Sequence, residues 1–287
     1  MREQPVIQEL TGGRLHLQHG PIDVVLKAWG TDGAIATAYA AAGERFHTIL
    51  GELVGELGEL RKPMDQGPVV AGPVARRMVT ACRPFADVFI TPMAAVAGSV
   101  ADELMAPMLS AAPLTKAFVN DGGDIAVHLA PGETISIGVA ADFSCGAVPA
   151  LSGNVTLRSD DGIGGIATSG RHGRSFSLGI ADSVTILARD AATADAAATL
   201  VGNAVNIDAP GVIRRPAREL DPDSDLGNLP VTVDVGSLAS EQIAAALAAG
   251  RARAEDYVGR GLIIAAAMTL RSVTEVVGGE RLVSVSL

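Results

Sequence analysis

GGIATSGRHGRSFSLGIADSVTILARDAATADAAAT, residues 164–199, is the stretch that decides how the chain is read. Gly165 to Thr168 is a short β signal, Gly170 lets the chain turn sharply, and Val184 to Leu187 is a second strand. Asp190 then stands as the N-cap of a helix running from Ala191 to about Val205. The order is strand, turn, strand, helix. Neither here nor elsewhere does a GxGxxG fingerprint or a GxxxxGK[ST] loop occur. The pattern therefore points to an α+β domain with a mostly antiparallel sheet packed by helices, rather than to a Rossmann fold.

The flanking sequence extends that pattern. Arg14 to Lys27 alternates apolar and polar residues around Gly20-Pro21, a β-hairpin. Its two histidines, His16 and His19, fall on opposite faces and read as surface imidazoles. Asp32 to Leu60 reads as one long amphipathic helix, with Phe46, Ile49, Leu53 and Leu57 on one face and Glu52, Glu56 and Glu59 as a solvated row. A loop follows to Pro73, and a second helix spans Met93 to about Met105. Further β signals lie at Ala117–Val119, Asp124–Leu129, Ile135–Val139, Val155–Leu157 and Val231–Val235, and a helix runs from Ser240 through Glu255. Pro216 to Pro230 is a loop. Its Asp221, Asp223 and Asp225 lack the glycine and closing glutamate of a calcium loop. Leu282 to Leu287 reads as a closing strand. We expect a single domain, 1–287, with the hairpin region 10–30 and the helix–strand region 239–287 as peripheral parts.

Bulk properties narrow the function. The chain has 287 residues, 48% hydrophobic but only 3% aromatic, so its core must be filled by small and aliphatic side chains. A formal net charge of -10 repels phosphate backbones and anionic lipid heads, which argues against nucleic acid and membranes as partners. Cys82 and Cys145 are too few for a disulfide framework and read as reduced thiols in or near the core. The apolar run Leu262 to Leu270 is too short to span a bilayer. No secretory leader pattern opens the chain, so a cytoplasmic location is expected.

Three places could carry chemistry. Asp195 and Thr199 are i and i+4 on the predicted helix. They form either a solvent-facing pair or a carboxylate and hydroxyl aimed together at a hard cation such as magnesium. The alanines between them would leave room for a ligand. Asn120-Asp-Gly-Gly-Asp124 is a hairpin turn whose bare backbone at Gly122 and Gly123 a flat ring or phosphate could approach. Thr168, Ser169 and Gly170 precede Arg171, His172 and Arg174, either a solvated basic turn or a phosphate cradle.

Taken in order, Met93-Ala-Ala-Val-Ala-Gly-Ser-Val-Ala-Asp102, Gly122-Gly-Asp124, Ala167-Thr-Ser-Gly170 and Ala194-Asp-Ala-Ala-Ala-Thr199 resemble the ApbE-like superfamily. Gly179-Ile-Ala-Asp-Ser-Val-Thr185 and Leu220-Asp-Pro-Asp-Ser-Asp-Leu226 look like the signature of an uncharacterised branch of it. The resemblance covers Asp32 to Val235. Its best-known members are magnesium-dependent flavin transferases that move FMN from FAD to a Thr or Ser of a target protein. The resemblance implies an ApbE-like fold, with FAD or FMN and Mg as cofactors and a flavin or other flat nucleotide-like molecule as ligand. Gly98 and Asp102 would line the nucleotide cleft, with Gly122, Gly123 and Asp124 beside it. Thr168, Ser169 and Gly170 would border the pyrophosphate or ring, and Arg171 and Arg174 would offset phosphate charge. Asp195, Thr199 and the carbonyl of Val96 would hold the metal, while His172 or Asp182 would handle a proton. The lysine that the transferases carry before the matched glycine is Ala97 here, and their His-x-x-Asp-Pro-x-Thr-Gly segment has no counterpart between Arg171 and Arg189. The readings open at this point are a flavin- or nucleotide-using enzyme, a non-catalytic cofactor-binding protein, and a structural homodimer joined through Ala-rich helices.

Overall fold

A computed structural model of the chain describes residues 4–140, 151–173, 175–279 and 283–284. Its strands are β1 (Val6–Leu10), β2 (Arg14–His19), β3 (Ile22–Trp29), β4 (Lys116–Asp121), β5 (Asp124–Leu129), β6 (Thr134–Ala140), β7 (Leu151–Arg158), β8 (Gly165–Ser169), β9 (Ser183–Ala188), β10 (Val212–Pro216), β11 (Pro230–Val235), β12 (Ala265–Leu270), β13 (Val273–Gly278) and β14 (Val283–Ser284). Its helices are α1 (Asp32–Gly55), α2 (Leu57–Leu60), α3 (Pro73–Cys82), α4 (Val96–Ala111), α5 (Ala191–Ala204), α6 (Ala217–Leu220) and α7 (Ser240–Gly259). They fall into two compact units. The first is Met1–Ile135, Leu157–Ala167 and Ala188–Ala196; the second is Ser136–Thr156, Thr168–Leu187 and Ala197–Leu287.

In the first unit the sheet runs β1-β2-β3-β4-β5-β8, each neighbour antiparallel. The hairpin expected at Gly20-Pro21 joins β2 to β3, and Gly20 has φ +57, the left-handed region a two-residue turn requires. Alternation places Leu15, Leu17, Ile22, Val24, Leu26 and Ala28 on the inner face, where α1 lays Ala38, Ala42, Phe46, Ile49 and Leu53 against them. Full burial of a side chain such as Phe46 or Ile49 stabilises the fold by roughly 1.5–3 kcal/mol. The Oγ1 of Thr31 accepts the Ala34 N–H at 3.3 Å and caps α1.

The long helix ends earlier than its periodicity predicts, and the acidic row is not a solvated face. Glu56 leaves helical geometry, and its carboxylate accepts the N–H groups of Ala71 at 2.6 Å and Gly72 at 2.7 Å, where α3 begins. Glu52 pairs with Arg45 at 2.7 Å, and Glu59 accepts the Val69 N–H at 2.9 Å. His16 pairs with Asp23 at 2.9 Å, whereas His19 sets its ring edge against the core ring of Phe46. Cys82 is fully buried and donates its thiol to the Thr91 carbonyl; Cys145 lies outside the described residues.

The second unit contains the antiparallel order β9-β12-β13. Val184 pairs with Met268, and α7 closes over that face where Gly250 comes against Val205 and Met268. The apolar run noted at Leu262–Leu270 thus becomes a central strand. Antiparallel β10 and β11 form a separate pair. The order β14-β7-β6 forms a third sheet, in which Val283 pairs with Val155. Of the expected closing strand, only Val283 and Ser284 are described, and they join this small sheet; residues 282 and 285–287 lie outside the described residues. Among the described residues, no helix is long and apolar enough to cross a membrane.

Candidate functional site

The first unit gathers its acids where α4 and α5 begin. Asp195 stands in the second turn of α5. Its Oδ2 accepts the Gly98 N–H at 3.0 Å, and its carboxylate also takes the Ala97 N–H. Both donors lie in the first turn of α4, where helix geometry leaves N–H groups without intrahelical partners. Asp102, on α4, answers from the other side: its Oδ1 accepts the Ala191 N–H at 3.2 Å and its Oδ2 the Ala192 N–H at 3.0 Å. Asp190 caps α5 as expected, accepting the Thr193 N–H at 2.7 Å.

Glycines make this approach possible. A Cβ on Gly98 would lie 2.2 Å from the Ala191 carbonyl oxygen. On Gly165 it would lie 2.1 Å from the Asp190 carbonyl carbon, and on Gly164 it would lie 2.3 Å from the Arg189 oxygen. The Gly164-Gly165 pair that opens the decisive stretch therefore lets β8 pass directly against the start of α5. Ala191, Ala192, Ala194 and Ala196 in this part of α5 are buried, so the alanines serve close packing rather than open space.

The β4–β5 turn adds charge. Gly122 and Gly123 have φ +64 and +115, and the Asn120 Oδ1 accepts the Gly123 N–H at 2.8 Å. This tight turn pairs Asp121 with Asp124, and Asp121 is buried. Burial raises the Asp195 carboxyl well above the usual carboxylate range; the charge of Asp124 and then of Asp121 adds to the rise, and the Gly98 and Ala97 N–H groups oppose it. Burial, first, also lifts Asp102 to about 6, against its bonds to Ala192 and Ala191. The Cys82 thiol is pushed up by burial and by the charge of Asp195.

In the second unit a different aspartate is the centre. Arg171 sets both Nε and Nη2 at 2.8 Å from the Asp182 Oδ1, and the His172 Nε2 is 3.5 Å from the same oxygen. The Asp182 Oδ2 accepts the backbone N–H of Arg271. Gly170 allows this close turn, since a Cβ there would lie 2.4 Å from the Asp182 carbonyl oxygen. The Thr168 and Thr185 hydroxyls meet at 3.0 Å, and Ser169 is half-buried. Thr199 is half-buried one turn beyond Asp195 on α5. Arg174 lies outside the described residues.

The structure therefore brings Gly98, Asp102, Asp124 and Asp195 together in the first unit, and Gly170, Arg171, His172 and Asp182 in the second. Among the described residues no group of three or more His, Cys, Asp or Glu is arranged to hold a metal ion. A site there would need carbonyl or hydroxyl oxygens beside a single carboxylate. Two participants escaped the sequence reading. Asp121 continues the inward phase of Ala117 and Val119 along β4, a signal that alternation alone could have given. Arg271 sits in a two-residue hairpin turn without Gly or Asn and carried no such signal.

A family model described as AbpE bacteria matches residues 7–281. The chain belongs to this ApbE-like family. A UPF0280 protein of Methanothrix thermoacetophila is 38% identical over 148 residues, which cover 51% of this chain and 56% of that protein. A UPF0280 protein of Methanothermobacter thermautotrophicus is 35% identical over 174 residues, which cover 56% of this chain and 64% of that protein. The matches thus span somewhat over half the length of these relatives. The crystal structure of the ApbE protein from Thermotoga maritima aligns over 96% of this chain and 97% of its own, with a TM-score of 0.50 at 15% identity. That likeness extends to the α+β fold with its mostly antiparallel sheet.

Proposed function

We propose that the protein is a magnesium-dependent, flavin- or nucleotide-using enzyme related to FMN transferases. The observation that carries this reading is the Asp195 carboxylate, which accepts the first-turn N–H groups of Gly98 and Ala97 on α4 and has the acids Asp124 and Asp121 of the β4–β5 turn acting on it. Its hydrogen-bond donors are uncharged N–H groups, and a carboxylate has lone-pair capacity beyond two such bonds. All the oxygens offered are hard donors of the kind magnesium takes. Asp195 and the Val96 carbonyl would hold the ion, and Thr199, one helical turn on, would add a hydroxyl. The ion, when bound, supplies Lewis-acid neutralisation of a phosphate oxygen.

The chain's own residues do the rest. Gly122 and Gly123 present backbone without Cβ atoms to a flat or phosphorylated ligand. His172, beside Asp182, is the group available to carry a proton. In the transfer reaction a hydroxyl oxygen would bond to the FMN phosphorus of FAD, the pyrophosphate P–O bond would break and AMP would leave.

A second reading is a binding protein without transfer. It is favoured by Ala97 in the place of the transferases' lysine and by the commitment of Arg171 to Asp182. The experiment is a thermal-shift titration with FAD and FMN, with and without magnesium, coupled to an assay for AMP. Magnesium-dependent AMP from FAD supports the enzyme. A flavin-induced shift without AMP supports the binding protein, and no shift with either flavin contradicts both.

A further inference from the structure

We infer that Asp102 is a positioning residue for Asp195, so that the metal affinity of the site depends on a carboxylate that does not touch the metal. This rests on the reading of Asp195 as a metal ligand. Each of the two helices carries a small residue and, four positions later, an acid: Gly98 and Asp102 on α4, Ala191 and Asp195 on α5. At that spacing both members lie on one helix face. The hydrogen bonds are exchanged crosswise, the Gly98 N–H to Asp195 at 3.0 Å and the Ala191 N–H to Asp102 at 3.2 Å. Each acid thus sits on the positive end of the other's helix.

The exchange holds one geometry. Asp190 already caps α5 through the Thr193 N–H, so Asp102 takes the remaining first-turn donors, Ala191 and Ala192. The missing Cβ of Gly98 lets α4 lie directly against the Ala191 carbonyl at the start of α5. Removing Asp102 would orphan two N–H groups and free the first turn of α5, which carries Asp195 one turn later. Partners that orient a metal ligand typically cost about 10–100-fold in affinity when removed.

The test is calorimetric titration of MgCl2 into the full chain, below its unfolding temperature, for wild type and four variants. Asp102→Ala should bind magnesium about 10–100-fold more weakly than wild type. Asp102→Asn keeps one acceptor oxygen and should fall between. Asp190→Ala removes only the local cap; it should lower the melting temperature yet leave magnesium affinity within about two-fold, a small loss by the same measure. Asp195→Asn should lose the binding. Wild-type affinity in Asp102→Ala, or an equal loss in Asp190→Ala, overturns the positioning role while leaving the metal reading intact. If wild type and Asp195→Asn both show no saturable binding, the metal reading fails and this inference with it. Should Asp102→Ala not fold, Asp102→Asn against Asp190→Ala carries the comparison.

Discussion

Asp182 and Asp195 are both carboxylates drawn out of water, and they are met in opposite ways. Asp182 is met by the guanidinium of Arg171 at 2.8 Å through two nitrogens, with the His172 imidazole 3.5 Å away. Asp195 is met by backbone N–H groups and by the charges of two further acids. Desolvation must be offset in either place. The guanidinium does so for Asp182 within the chain. The groups that face Asp195 in these contacts are N–H dipoles and other acids, and that difference is the reason the cation is proposed for the first unit rather than among the arginines of the second.

The sharpest way to break the comparison is steric. Gly98→Ala would drive a methyl to 2.2 Å from the Ala191 carbonyl oxygen, and Gly170→Ala one to 2.4 Å from the Asp182 oxygen. Each variant should lose about 3 kcal/mol or more in urea unfolding. Gly51→Ala, on α1 with nothing within 4 Å of the new Cβ, should instead gain about 0.5–1 kcal/mol. Equal effects at all three positions would remove the argument for close approach.

Asp182→Asn comes next. It leaves Arg171 without its carboxylate in a setting where both side chains are only 14% exposed. A loss of about 2–3 kcal/mol is expected, little changed by salt. A loss below about 0.5 kcal/mol would rank the pair with ordinary surface bridges.

Asp102 provides a pH test. Its folded carboxyl is lifted to about 6, so the folded chain keeps a proton that the unfolded chain releases near pH 4. Its contribution to stability is therefore present below about pH 4 and lost as pH rises through 6. Relative to Asp102→Asn, wild type should lose on the order of 2–3 kcal/mol between about pH 4 and 7, read from parallel denaturation curves. A constant difference across that range contradicts the assignment.

The smallest effect concerns Arg271, whose φ of +57 is unusual for a residue with a Cβ. Its Nη2 donates to the Val235 carbonyl at 2.6 Å and the Gly236 carbonyl at 2.7 Å, which helps hold the turn. Arg271→Gly should be more stable than Arg271→Ala by about 1 kcal/mol, because both lose the side chain but only glycine relieves the backbone. Equal stability would mean that the turn carries no strain.

Much of this was legible in sequence where the signal is local. Alternation around Gly20-Pro21 located β2 and β3, and the Asn120–Asp124 turn and the Asp190 cap followed from side chains that bond to their own backbone. The run Leu262–Leu270 has no period, so β12 could not be told from any other buried segment, and β13 was lost with it. The α3 helix follows a Pro- and Gly-bearing loop, and Glu56 holds its entry by accepting the N–H groups of Ala71 and Gly72 just before the first turn. At the site, the one-sided placement of Asp195 and Thr199 could be read from spacing. The crosswise bonds of Asp102 and Asp195 could not, because their partners lie 89 and 97 residues away in the chain.

The most direct test of the central claim is magnesium binding to wild type against Asp195→Asn, followed by calorimetry at neutral pH. The substitution keeps one acceptor oxygen for the Gly98 N–H and replaces the other carboxylate oxygen with an amide, so the ionisable acid is removed. Saturable binding in wild type that weakens at least about ten-fold in the variant is the expected result. Equal binding by the two proteins would contradict the assignment of the cation to Asp195.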